Sequence, residues 1–159
     1  MSKIILLLLL SSCFFSLFSC QDEFCASTTT PHLVVRFYNK DTPNKIKNIQ
    51  LVVWANDKAK LFNGQIITTD SLILPLDTQK NSVTYHFSKQ NEADPESVSV
   101  EDLVIKYNTK DTYISKSCGF KSTFNNVSIT NTNKDWLKSQ ELTTTTITNE
   151  NNAHVKIFH

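Results

Sequence analysis

Four cysteines are the residues whose surroundings point to definite chemistry. Cys20 closes the run Leu17-Phe18-Ser19-Cys20 and is followed at once by Gln21, Asp22 and Glu23. A short apolar-and-small sequence ending in Cys, at the close of a secretory signal, marks a thiol that takes a thioether-linked diacylglycerol. The amine freed by cleavage then takes an amide-linked chain of the palmitate class. More than one acyl chain makes the anchor stable, at about 0.8 kcal/mol per buried CH2. Leu10-Ser11-Ser12-Cys13 has a similar form, but cleavage there would leave Phe14 to Phe18 as a greasy mature terminus. Cys20 is therefore the expected lipidation site.

Cys25 and Cys118 belong to the exported part of the chain. An even pair in an oxidising compartment forms a disulfide. Closing a loop of roughly 90 residues contributes about 4–5 kcal/mol on the loop-entropy account. No C-x-x-C or Cys/His spacing supports a metal-binding thiol instead. The acidic stretch Gln21-Asp22-Glu23 resembles the export signal that sends some Bacteroidetes lipoproteins to the outer cell surface. The periplasmic face of the outer membrane is the competing location.

The remaining chemistry-bearing residues form no recognised catalytic or metal motif. His32, His86, His154 and His159 stand far apart, outside any H-E-x-x-H pattern. Glu92, Asp94 and Glu96 alternate in a polar segment, yet lack the glycine and spacing of a calcium loop. Glu101 and Asp102 are adjacent on an expected strand and point to opposite faces, which makes them a poor acid–base pair. Only Gly64 and Gly119 are present, so a phosphate loop or dinucleotide fingerprint is excluded, and no G-x-S-x-G elbow occurs. A Ser/His/Asp triad could arise only from distant strands. Thr143 to Thr146 is expected to be an exposed strand. Asp70-Ser71-Leu72 resembles the O-glycosylation acceptor of Bacteroidetes secretory proteins. Trp54 is expected in the core, and Trp136 is the candidate exposed aromatic.

These residues need a frame. Lys3 precedes the apolar run Ile4 to Phe18, which is shorter than the roughly 20 residues of a membrane-spanning helix and has the layout of a signal peptide. The expected organisation is a lipoprotein signal peptide over 1–19, an acylated Cys and short tether over 20–31, and one domain over 32–159. Removing Lys3 from the 16 basic residues leaves 15 against 15 acidic ones, and Arg36 is the only arginine. With no basic block, nucleic acid is excluded as a partner.

The domain is expected to be all-β: a single antiparallel β-sandwich, Ig-like or related, of about eight or nine strands. His32 to Tyr38 alternates, with Leu33, Val35 and Phe37 on one face. Ile46 to Trp54 is apolar on both faces, as a central strand is. Gly64 is expected to close a hairpin loop, Ile66 and Ile67 to begin the return, and Ser71 to Leu76 to continue it, with Pro75 at an edge or bulge. Ser82 to Ser88 is a further strand. Val98 to Asn108 and Thr112 to Ser117 are expected to form a hairpin about a tight turn at Asn108–Asp111. Gly119 follows as a bulge glycine. Phe124 to Thr130 and Val155 to Phe158 are later strands, with a single helical turn at Asn133–Leu137 between them.

Thr29-Thr30-Pro31-His32-Leu33-Val34-Val35-Arg36-Phe37-Tyr38 resembles the opening of a Bacteroidetes lipoprotein family, domain-of-unknown-function family 6452. Ser71-Leu72-Ile73-Leu74-Pro75-Leu76, Tyr113-Ile114-Ser115-Lys116-Ser117-Cys118-Gly119-Phe120-Lys121 and Asn149-Glu150-Asn151-Asn152-Ala153-His154-Val155 carry the same likeness. The resemblance implies a lipoprotein and supplies no activity. The expectation is thus an outer-membrane, lipid-anchored protein that is not an enzyme and needs no cofactor or metal. It would act as a binding or envelope-accessory module for a protein or glycan. A hydrolase and a structural subunit of an envelope complex are the opposing classes.

Overall fold

In the computed structural model, residue 25 and residues 30–55, 59–60, 64–90, 98–133 and 135–159 are described. The expected signal peptide, Cys20 with Gln21, Asp22 and Glu23, and the acidic run Glu92, Asp94 and Glu96 lie outside the described residues.

Two sheets account for the fold. The first is ordered β5–β1–β10–β9, from β1 (Leu33–Tyr38), β5 (Ser71–Leu74), β9 (Ser139–Leu142) and β10 (Val155–Phe158). The second is ordered β3–β2–β6–β7–β8, from β2 (Ile49–Ala55), the two-residue β3 (Ala59–Lys60), β6 (Ser82–Gln90), β7 (Val98–Ser115) and β8 (Gly119–Asn131). The short β4 (Ile67–Thr69) also pairs with β2. Alternation with period two decides which side chains turn inward. Leu33, Val35 and Phe37 of β1, Val155 and Ile157 of β10, Leu51 and Val53 of β2, and Tyr85 and Phe87 of β6 join one core drawn from both sheets. Two inward tyrosines keep their hydroxyls satisfied at its margin. Tyr85 donates to the Pro75 carbonyl, and Tyr107 to that of Asp77 at 2.9 Å. Burial raises the pKa of both phenols.

The all-β, two-sheet expectation holds, but several particulars differ. The pairing is not wholly antiparallel, because β1 and β10 run parallel, with Val35 opposite Val155 and Arg36 opposite Lys156. Ile66 to Leu76 is not one returning strand. The chain changes sheets at Asp70, whose carbonyl accepts the Phe37 N–H at 2.8 Å, while Thr69 Oγ1 donates to the Ser71 carbonyl at 2.6 Å. Pro75 does follow an edge strand, as its missing N–H requires.

No turn forms at Asn108–Asp111. Residues 108–113 continue β7 in pairing with β8, and the reversal comes at Lys116–Cys118, where Gly119 takes a φ of +69°. The irregularity near Asn108 is a bulge: three residues of β7, Lys106 to Asn108, face four of β8, Asn125 to Ser128. Asn126 supplies the extra residue with a φ of +51°, a conformation Asn tolerates better than most side chains. That extra residue shifts the alternation, so Phe124 and Val127 are both buried.

Asn133–Leu137 is not helical. Its described residues form bends, and the backbone N–H groups of Asp135, Trp136 and Leu137 converge on Glu101 Oε1 at 2.6, 3.0 and 3.3 Å. Thr143 to Thr146 is a loop rather than a strand; it meets the second sheet where the Thr145 carbonyl accepts the Val127 N–H at 3.0 Å and where Ile147 bridges Phe124. Cys25 is bonded to Cys118, as expected, across a sequence separation of 93 with Cα atoms 5.0 Å apart.

Candidate functional site

Arg36 is the chain's one arginine, and β1 holds it near the middle of the first sheet. Val35 and Phe37 point inward, so Arg36 and Tyr38 point outward. Parallel pairing sets Lys156 beside Arg36, and antiparallel pairing sets Glu141 beside Lys156. Lys156 Nζ lies 3.3 Å from Glu141 Oε1 and is thereby neutralised. Arg36 has no such partner among the described residues, and its Nε is buried without a hydrogen bond. A buried donor left unmade costs roughly 1–3 kcal/mol.

The loop between β9 and β10 folds over this face and encloses a depression of about 560 Å³. Arg36, Tyr38 and Lys156 belong to the sheet side. Thr143, Thr144, Thr146, Thr148 and three asparagines, Asn149, Asn151 and Asn152, come from the loop. The loop is tied down on several sides. Thr143 Oγ1 donates to the Ala153 carbonyl at 2.6 Å, Thr144 Oγ1 to that of Thr146 at 3.1 Å, and the Asn151 N–H to Asn149 Oδ1 at 3.0 Å. Its far end is clamped to the start of β1. Glu150 Oε1 accepts the His32 N–H at 2.8 Å and lies 2.6 Å from His32 Nδ1. The His32 ring bond, then its backbone bond, holds the Glu150 carboxyl below its usual range. His154 is buried beneath the loop, and its Nδ1 accepts the Val34 N–H at 2.9 Å. Burial lowers its pKa. A neutral ring accepting a backbone bond suits a structural clamp.

Chemically, a guanidinium offers paired donors in a fork that matches a carboxylate, sulfate or phosphate. Thr and Asn side chains add neutral donors and acceptors around it. The arrangement can hold an anionic group bearing hydroxyl neighbours. It contains no nucleophile–base pair. A second depression, of about 700 Å³, is lined by Thr78, Gln79, Lys80 and Asn81, but its lysine is exposed and lies 3.4 Å from Asp77.

The other candidates fall elsewhere. His86 and Asp102 do come together, with Nδ1 2.5 Å from Oδ1, on the outer face of the second sheet. Trp54 sits opposite His86 in register and stacks on its ring, with centroids 5.2 Å apart. Trp54 is therefore half-buried on that face and not in the core, because Val53 takes the inward position. Among the described residues no hydroxyl nucleophile bonds the other nitrogen of His86, so the dyad is not a triad. Trp136 is half-buried against the core, beside the His159 ring. Glu101 and Asp102 diverge as expected. Ser71 is half-buried on β5, opposite Arg36. No group of three or more His, Cys, Asp or Glu able to hold a metal occurs among the described residues.

Sequence reasoning passed over Arg36 as a site. The signal was there in its uniqueness, on an otherwise apolar alternating strand.

A family of unknown function, DUF6452, matches residues 50–159. That is more than half of the chain. The chain belongs to DUF6452. The DUF6452 match takes in Glu141, Lys156 and the whole β9–β10 loop, and begins after β1, which carries Arg36. Membership in DUF6452 assigns no activity. Comparisons with curated proteins and with solved structures gave no match.

Proposed function

We propose that this DUF6452 protein is a non-catalytic binding module, lipid-anchored in the outer membrane, whose Arg36 depression takes an anionic glycan. In this reading residues 1–19 are removed as a lipoprotein signal peptide and Cys20 is acylated. Residues 20–31 form the tether, with Gln21, Asp22 and Glu23 directing sorting to the cell surface. Residues 32–159 form a two-layer β-sandwich of the Ig-like or a related kind.

The observation that carries the ligand is Arg36, without an ion-pair partner among the described residues, beside a neutralised Lys156 and roofed by a threonine- and asparagine-lined loop. Guanidinium recognition of an acidic group supplies orientation, and the neutral side chains suit sugar hydroxyls. A hydrolase would need more than the His86–Asp102 pair. A structural subunit would not need a partnerless arginine in a depression.

The test is calorimetric binding of the intact protein to anionic and neutral oligosaccharides of matched length, with an acidic peptide alongside. Affinity for the anionic sugar alone, lost in Arg36→Gln, is expected. Equal binding of neutral and anionic sugars rejects the site, and preference for the peptide moves the ligand class to protein. Metabolic labelling with palmitate, abolished by Cys20→Ser, checks the anchor. Protease treatment of intact cells, with a known surface protein cleaved in parallel, checks display.

A further inference from the structure

The β7–β8 hairpin reaches beyond the rest of its sheet. β6 pairs with β7 only as far as Ser82 opposite Lys106, whereas β7 and β8 stay paired out to Ser115 opposite Gly119. The end of this ribbon carries an unusual surface. Tyr113 is 55% exposed, Ile114 40% and Phe120 71%. Tyr113 and Phe120 face each other across the strands, with ring centroids 5.4 Å apart in an edge-on arrangement. Three large apolar side chains at one exposed tip call for a partner surface, since the body of the domain does not cover them.

The disulfide indicates which surface that is. Cys118 lies in the turn at this same tip and is bonded to Cys25. Cys25 is therefore held at the hairpin tip. Thr30 also touches this arm, its Oγ1 accepting the Ser122 N–H at 3.3 Å. Cys20 lies five residues before Cys25. Five residues span at most roughly 18 Å even when fully extended.

We propose that Tyr113, Ile114 and Phe120 form a foot that docks in the headgroup layer of the bilayer, an inference that rests on acylation of Cys20. Tyr113 suits this interface because its flat apolar ring and its hydroxyl match the two sides, and Phe120 adds a purely apolar ring for the acyl side. Lys116 in the turn is exposed and can reach lipid phosphates while its stem lies along the apolar surface. The disulfide gives this foot a role that stability alone does not. It holds the leash and the tip together, so that anchoring one seats the other. The domain then stands on a rigid strand pair and does not swing on its tether.

The experiment places a fluorophore at the foot. Full-length acylated Tyr113→Trp and, separately, Phe120→Trp are reconstituted in vesicles of phosphatidylethanolamine and phosphatidylglycerol, with plain or brominated acyl chains. Flotation of the protein with the vesicles reports the anchor. Emission relative to the unsubstituted protein reports the foot, because the native Trp54 and Trp136 provide the background. A side chain seated roughly 5–10 Å into the headgroup–acyl boundary should lose about half of its added emission to bromine. Flotation with no added quenching in either variant overturns the foot and leaves the anchor standing. Failure to float overturns both.

Discussion

Arg36 and Lys156 stand directly opposite each other in the parallel register of β1 and β10, two cations side by side on one outer face. Lys156 is paired with Glu141, and Arg36 has no such partner among the described residues. Like charges directly opposite are destabilising by roughly 0.2–1 kcal/mol. The buried Nε adds to that cost. Arg36→Met is therefore expected to leave stability unchanged or raise it by up to about 1 kcal/mol in urea unfolding, while abolishing binding of an anionic ligand. A loss of several kcal/mol would show that the arginine is structural.

Glu101 is the inward-facing carboxylate of β7, fully buried, and one of its oxygens accepts three backbone N–H groups. Hydrogen bonds to a charged group contribute about 1.5–3 kcal/mol each, and orphaned donors cost in addition. Glu101→Leu should destabilise by about 3 kcal/mol or more. Glu101→Gln keeps an acceptor oxygen in place and should cost less than half as much. Equilibrium denaturation of the two variants separates them, and equal losses would mean that packing, not the acceptor, matters here.

Breaking the Cys25–Cys118 bond releases a long loop into the unfolded state. The expected loss is about 4 kcal/mol in Cys25→Ser/Cys118→Ser. Alkylation of the unreduced protein followed by mass spectrometry should find both thiols blocked. Free thiols there would contradict the bond.

Acidification should loosen the loop that covers the Arg36 depression. Burial is the main cause that holds the His154 pKa below its ordinary value of 6.5; a bond to the Asn149 carbonyl and the Glu150 charge pull the other way. The unfolded chain thus binds a proton that the folded chain refuses. Stability is full above about pH 6.5 and falls as the pH drops through that value. Glu150 acts in the same direction lower down. Its stabilisation is present above the ordinary 4.5 and is lost as the pH falls through its lowered folded value. Unfolding free energy should therefore decline below about pH 6.5, by at most about 1.4 kcal/mol per pH unit for one proton, and the melting temperature should fall with it. His154→Gln should flatten the upper part of that decline, and an unchanged slope would assign it to other groups.

What was legible in the chain beforehand was local. Period-two alternation named the inward residues of β1, β6 and the first part of β7, because a strand's side chains take opposite faces whatever its neighbours are. The cysteine pair was legible because, with Cys13 in the expected signal and Cys20 expected to be acylated, only two thiols remain. The turn at Asn108–Asp111 was misplaced because a bulge centred on Asn126, in the facing strand, lets β7 continue. The helical turn at Trp136 was misplaced because Glu101, on a strand more than thirty residues earlier, accepts the N–H groups of that segment.

By itself, then, the sequence determined the all-β class, the pairing of Cys25 with Cys118 and the two faces of most strands. These follow from side-chain periodicity and from which residues exist to react. Only the tertiary structure decided that Arg36 lies beside Lys156, that the threonine-rich run is a roof and not a strand, and that Tyr113 and Phe120 share a tip with the Cys25–Cys118 bond. Each of these joins segments remote in the chain. Such pairing is set by the closing of two sheets over one core, to which no short window of sequence has access.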